Sequence, residues 1–71
     1  MASIQVQFGK SVRRLREKRK LSQEALADLA GLHATYIGRI ERGVQSIGLG
    51  NIGKIARALK VKPRELFKRV H

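Results

Sequence analysis

Thr35, Tyr36, Arg39 and Arg42 are spaced so that a helix through them would present hydrogen-bonding groups along one side. At 100° per residue, Ile37 and Ile40 define an inner face, and Thr35, Arg39 and Arg42 fall opposite it, with Tyr36 and Gly38 flanking. The chemistry such a row can do is recognition. Arg39 can pair bidentately with guanine, which is worth about 1–3 kcal/mol of discrimination against a wrong base. Thr35 offers a hydroxyl to a base edge or a methyl to thymine. Tyr36 can donate to a phosphate or stack along a groove wall. Ala34, in the first turn, is too small to block approach. Ala34, Thr35, Tyr36 and Arg39 are therefore the candidate base-reading residues.

A second set suits backbone contacts, which position a protein on a duplex without reading its sequence. Gln23 falls in the first turn of a separate helix, with that helix's free amides behind it. Arg42, Ser46, Asn51 and Lys54 surround the ends of the following two helices. Residues 10–20 hold seven basic side chains, read as long-range field more than ordered contacts. Glu41 lies within about 40° of the Ile37–Ile40 face by the helical period. A bare carboxylate there would be costly to bury. Arg16, at the edge of an upstream apolar stripe, is its expected cationic partner.

These side chains need short helices to carry them. Segment 23–42 reads as two helices joined at Gly31: Ala27 allows close approach, Gly31 can take the positive φ that ends the first helix, and Leu32, Ile37 and Ile40 pin the second back. This is a helix-turn-helix over about 22–43, with its second helix at about 34–42 shaped for a DNA major groove. Around it the spacing predicts a helix at 6–19 (Phe8, Val12, Leu15), one at 23–30 capped by Ser22, one at 49–59 (Leu49, Ile52, Ile55, Ala56, Leu59), and a fifth from Pro63 with Leu66 and Phe67 inward. Ile4, Val6 and Phe8 alternate like a short strand before the first helix. Gly48, Gly50 and Gly53 spell the dinucleotide spacing, but no strand precedes them and no acid lies about 20 residues on. They read as loosening the fourth helix or baring its first amides to a phosphate.

With 71 residues the chain is long enough for one domain, 1–71. A chain this short buries only about 60% of its unfolded surface, so a dimer contact would help its stability. The net charge of +11, from 16 Lys and Arg against 5 acids, points to a polyanionic partner. There is no cysteine, and His33 and His71 are far apart, so no metal or other cofactor is expected. The five acids are scattered and no nucleophile, base and acid fall together, which argues against an enzyme. No signal peptide or membrane span is seen, and a cytoplasmic location is expected.

Phe8-Gly9, Arg16, Leu21-Ser22-Gln23, Leu26-Ala27, Ala30-Gly31-Leu32, Tyr36-Ile37, Ile40-Glu41-Arg42-Gly43, Leu49, Ile55-Ala56, Ala58-Leu59 and Leu66-Phe67 together resemble the Cro/C1-type (lambda-repressor-like, XRE) DNA-binding domains from Phe8 to Phe67. The resemblance implies an all-α, five-helix lambda-repressor-like bundle. It also implies homodimers on two-fold symmetric operators, and repression or activation of transcription. It pairs the residues at Arg16 and Glu41 and sets the one at Gln23 on the DNA backbone. The stretch LHATYIGRIERG is also similar to the controller proteins of restriction-modification systems, with Ala34 where arginine is frequent and Gly38 where a polar residue is usual. Lys20 stands where a turn glycine is frequent, and Ile47 where proline is.

The expected function is sequence-specific regulation of transcription by a homodimer. Each protomer would put its third helix into a major groove, and overlap with, or contact to, RNA polymerase would set the sign. The dimer is expected through the C-terminal helices, around Leu66, Phe67 and Val70. Two alternatives are an antitoxin-type protein-interaction module with DNA autoregulation and a non-specific basic nucleic-acid binder.

Overall fold

The computed structural model describes residues 3–68, which form four α-helices and a closing 3-10 turn: α1 (Ile4–Lys18), α2 (Gln23–Ala30), α3 (Ala34–Glu41), α4 (Leu49–Leu59) and Pro63–Phe67. Helix α1 starts two residues earlier than the spacing predicts. The Ser3 hydroxyl accepts a hydrogen bond from the Val6 amide at 3.2 Å, and the helix takes in the stretch that alternates like a strand. In this conformation Phe8 is buried and Ile4 exposed.

Helix α2 has the predicted bounds. The Ser22 hydroxyl accepts from the Ala25 amide at 2.9 Å, and Gly31 closes the helix at φ 70°. Leu32 N–H then reaches back to the Ala27 carbonyl at 2.9 Å, turning the chain toward α3. Helix α3 ends at Glu41, one residue short of the expected end, with Arg42 as its cap.

Each helix contributes to one core: Phe8, Val12 and Leu15 from α1, Leu26, Ala27 and Ala30 from α2, Ile37 and Ile40 from α3, and Ile52, Ile55, Ala56 and Leu59 from α4. The tightest crossing is between α1 and α3. A Cβ on Gly9 would collide with the Ile40 and Glu41 carbonyl oxygens, so only glycine permits this backbone contact.

Three expectations are corrected. Leu49 shares the inner angle of α4, yet it is 87% exposed, because the first turn of that helix extends past the core. The fifth helix is a five-residue 3-10 turn, entered through Pro63, with the Glu65 carboxylate accepting from the Lys62 amide at 3.1 Å. At three residues per turn, neighbouring side chains diverge by about 120°. Leu66 therefore goes fully into the core, while Phe67 stays 47% exposed with its ring centroid 5.1 Å from that of Phe8. Leu66 is thus a core residue and is withdrawn from the expected dimer surface; Val70 lies outside the described residues. The buried Ser11 hydroxyl donates to the Lys68 carbonyl at 3.2 Å, tying the end of this turn to α1.

Lys20 and Lys60 both take φ 58°. This left-handed conformation costs a non-glycine residue roughly 1–2 kcal/mol. It is the conformation that a glycine at position 20 would take without that cost.

Candidate nucleic-acid interface

Behind α3 lies a buried polar brace. Arg16 Nε donates to Glu41 Oε2 at 2.6 Å, and Nη2 donates to Oε1 at 3.0 Å, a two-pronged pair. The remaining arm, Nη1, donates to the Leu21 carbonyl at 2.7 Å. The Glu41 side chain is only 4% exposed and that of Arg16 12%. Donating to Glu41 raises the pKa of the Arg16 guanidinium above its ordinary value, against the opposing pull of burial. Gln23 Nε2 also donates to Glu41 Oε1, at 3.0 Å, so α1, α2 and α3 meet at one carboxylate. Among the described residues every buried side-chain polar atom has a partner.

On the outer side of α3, Thr35 and Arg39 are exposed, and Ala34 and Tyr36 are half-buried. The Tyr36 hydroxyl accepts from Asn51 Nδ2 at 3.1 Å, which links the recognition-type helix to the first turn of α4. Gly38 is buried beneath two side chains: a Cβ there would stand 3.4 Å from Arg42 Nη1 and 3.5 Å from Gln23 Oε1. Gln23 from α2 and Arg42 at the end of α3 thus meet above Gly38, at distances a Cβ there would accept as ordinary contact. Lys54 is exposed on α4. Ser46, in the loop before α4, accepts through its hydroxyl from Gln5 Nε2 at 3.1 Å.

Thr35, Tyr36, Arg39, Gln23, Arg42 and Asn51 are therefore gathered around α3, whereas Ser46 is held toward the start of α1. Spacing gave no sign of Gln45, whose Oε1 accepts from Arg39 Nε at 3.0 Å. It lies in an irregular loop, where no period predicts direction, and only its polarity hinted at a role. Among the described residues nothing lies within 4 Å of a Cβ built at Gly48, Gly50 or Gly53, so no described neighbour requires a glycine there.

No cluster of three His, Cys, Asp or Glu occurs among the described residues, and no described helix is long and apolar enough to cross a membrane.

Comparison with known proteins gives a consistent picture. The family model described as HTH_3, helix-turn-helix, matches residues 12–66. Control protein C.BamHI from Bacillus amyloliquefaciens is 48% identical over 66 residues, covering 92% of this chain and 82% of the relative. Control protein C.MunI from Mycoplasma sp is 40% identical over 68 residues, covering 94% and 92%. Among solved structures, the restriction-modification controller protein C.AhdI from Aeromonas hydrophila superposes with a TM-score of 0.87 at 51% identity, over 89% of this chain and 96% of that one.

Proposed function

The chain belongs to the HTH_3 family of helix-turn-helix proteins, the Cro/C1 or XRE type, and from that premise we propose that it is a sequence-specific DNA-binding transcriptional regulator of the controller kind. The observation that carries this reading is the open outer side of α3. Thr35 and Arg39 are exposed there, while Ile37 and Ile40 on the opposite side are sealed in the core. A helix held this way can enter a major groove side-on and offer Ala34, Thr35, Tyr36 and Arg39 to base edges. Gln23 and Arg42, meeting over Gly38, suit the flanking phosphates, with Asn51 and Lys54 on the α4 side; Ser46, bonded to Gln5 of α1, stands apart from this group. The similarity to control proteins supports a regulator acting on transcription and gives no support to catalysis.

Residues 1–71 act in this reading as one cytoplasmic domain, with no cofactor and no catalytic step. Two copies bind a two-fold symmetric operator, with half-sites about one helical turn apart. Phe67 supplies an exposed apolar contact beside a shallow cleft lined by Ile4, Ile47 and Ile52, which suits a second copy. Overlap with, or contact to, RNA polymerase at the promoter sets the sign of regulation.

Selection of bound duplexes from a random library tests the reading. The expected result is a two-fold symmetric consensus preferred over random duplex by about 10³-fold or more at physiological salt. Equal affinity for all duplexes would leave only a charge-driven binder.

A further inference from the structure

Arg39 is an exposed long cation on the outer side of α3, and a free guanidinium there would have many orientations. It is not left free. Its Nε donates to Gln45 Oε1 at 3.0 Å. The Gln45 carboxamide is itself fixed, because its Nε2 donates to the Ser46 carbonyl at 3.0 Å. Ser46 in turn accepts through its hydroxyl from Gln5 on α1 at 3.1 Å. A chain of three hydrogen bonds thus runs from α1, through the loop before α4, to the guanidinium.

The consequence lies in which edge of that guanidinium remains available. Arginine can present either its Nε–Nη edge or its Nη1–Nη2 edge to a pair of acceptors. Gln45 engages Nε, so the Nε–Nη edge has one donor already committed and the terminal edge is the better placed to pair with two acceptors. The acceptor is a neutral amide, which orients the group without cancelling its charge; a carboxylate in its place would do both. We infer that Gln45 is a positioning residue for base recognition, holding Arg39 so that it meets guanine end-on through Nη1 and Nη2. This inference rests on the proposal that α3 reads DNA through Arg39.

The test uses Gln45→Met, which keeps the side-chain length and removes the acceptor, and Gln45→Ala as a second variant. Selected consensus and competition binding are measured with duplexes differing at one base pair. Loss of this solvent-exposed hydrogen bond should give about a fivefold fall in preference at the Arg39-read base. Affinity for random duplex, its salt dependence and the melting temperature should stay as in the parent chain. Arg39→Ala should remove the same preference, and the double variant should match Arg39→Ala alone. In the free protein, the NMR resonance of the Arg39 Nε–H should move in both Gln45 variants.

Three results would overturn the inference. If Arg39→Ala relaxes a base position and the Gln45 variants do not, Gln45 has no positioning role while the DNA-reading proposal stands. If Arg39→Ala leaves a sequence-specific consensus intact at every position, Arg39 is no reader and the inference falls with it. If the Gln45 variants weaken binding to all duplexes equally, the loop residue acts only on structure.

Discussion

Glu41 shows how one carboxylate can hold three helices. It accepts from Arg16 twice and from Gln23 once, at 4% side-chain exposure. Replacing Arg16 by Met strands that charge, and the penalty for an uncompensated buried partner is about 3–5 kcal/mol. Chemical denaturation of Arg16→Met should show a loss of this order, and the double variant Arg16→Met, Glu41→Leu should recover much of it. The raised value of Arg16 fixes the pH behaviour. A group whose folded value lies above its unfolded one contributes fully below the unfolded value and loses that contribution only as pH rises through the folded one. As far as Arg16 is concerned, the cost of Arg16→Met should therefore be the same at neutral and mildly alkaline pH. From the sequence, the helical period brought Glu41 near the inner face and so called for a cation. The Leu21 carbonyl and Gln23, which complete the site, are contacts across a turn and between helices, to which a period within one helix is blind.

Among the elements, the Gly9 crossing of α1 over α3 is the most demanding. Gly9→Ala would drive a methyl into the Ile40 and Glu41 carbonyl oxygens, and neither backbone can yield without shifting its helix. A loss of about 1–3 kcal/mol is expected, as for other overpacked sites, read as a lower melting temperature. If the melting temperature is unchanged, the two helices are not in contact there. The bounds of α2 were legible because a capping serine and a glycine stop agree, and those of α4 from its apolar stripe. The start of α1 was not, because Ile4, Val6 and Phe8 fit a strand as well as a helix until Ser3 is seen to cap. Leu49 shows the same limit from the other side: a correct angle on the helix wheel does not say how far along its axis the neighbours extend. The final turn was legible from Pro63, but its 3-10 geometry, and with it the split between Leu66 and Phe67, depends on how much room the core leaves.

For the molecule as a whole, charge and apolar exposure make separate demands. The +11 net charge keeps copies apart in free solution and draws them to DNA, where the phosphates offset it. In the proposed dimer, Phe67, at 47% exposure, would work in the opposite sense. Light scattering at rising protein and salt concentrations should show the mass climbing toward twice that of the chain. Phe67→Glu should hold it at the monomer and make operator binding weaker by more than one half-site. A monomer at every concentration for the parent chain would remove the proposed dimer face. The sequence named Phe67 together with Leu66 for this contact; it could not show that Leu66 is taken up by the core while Phe67 stays exposed.

The close seating of α1 on α3 at Gly9 also bears on how such a protein can diversify. With the inner side of α3 locked against a glycine and anchored through Glu41, the angle of the helix proposed to read DNA leaves little scope for adjustment by drift. New target preferences must then arise by exchanging side chains on the outward row, where Thr35 and Arg39 carry no packing duty. Relatives built on the same frame could therefore part ways in what they recognise while keeping one architecture, and selection would find those outward positions the cheapest to change.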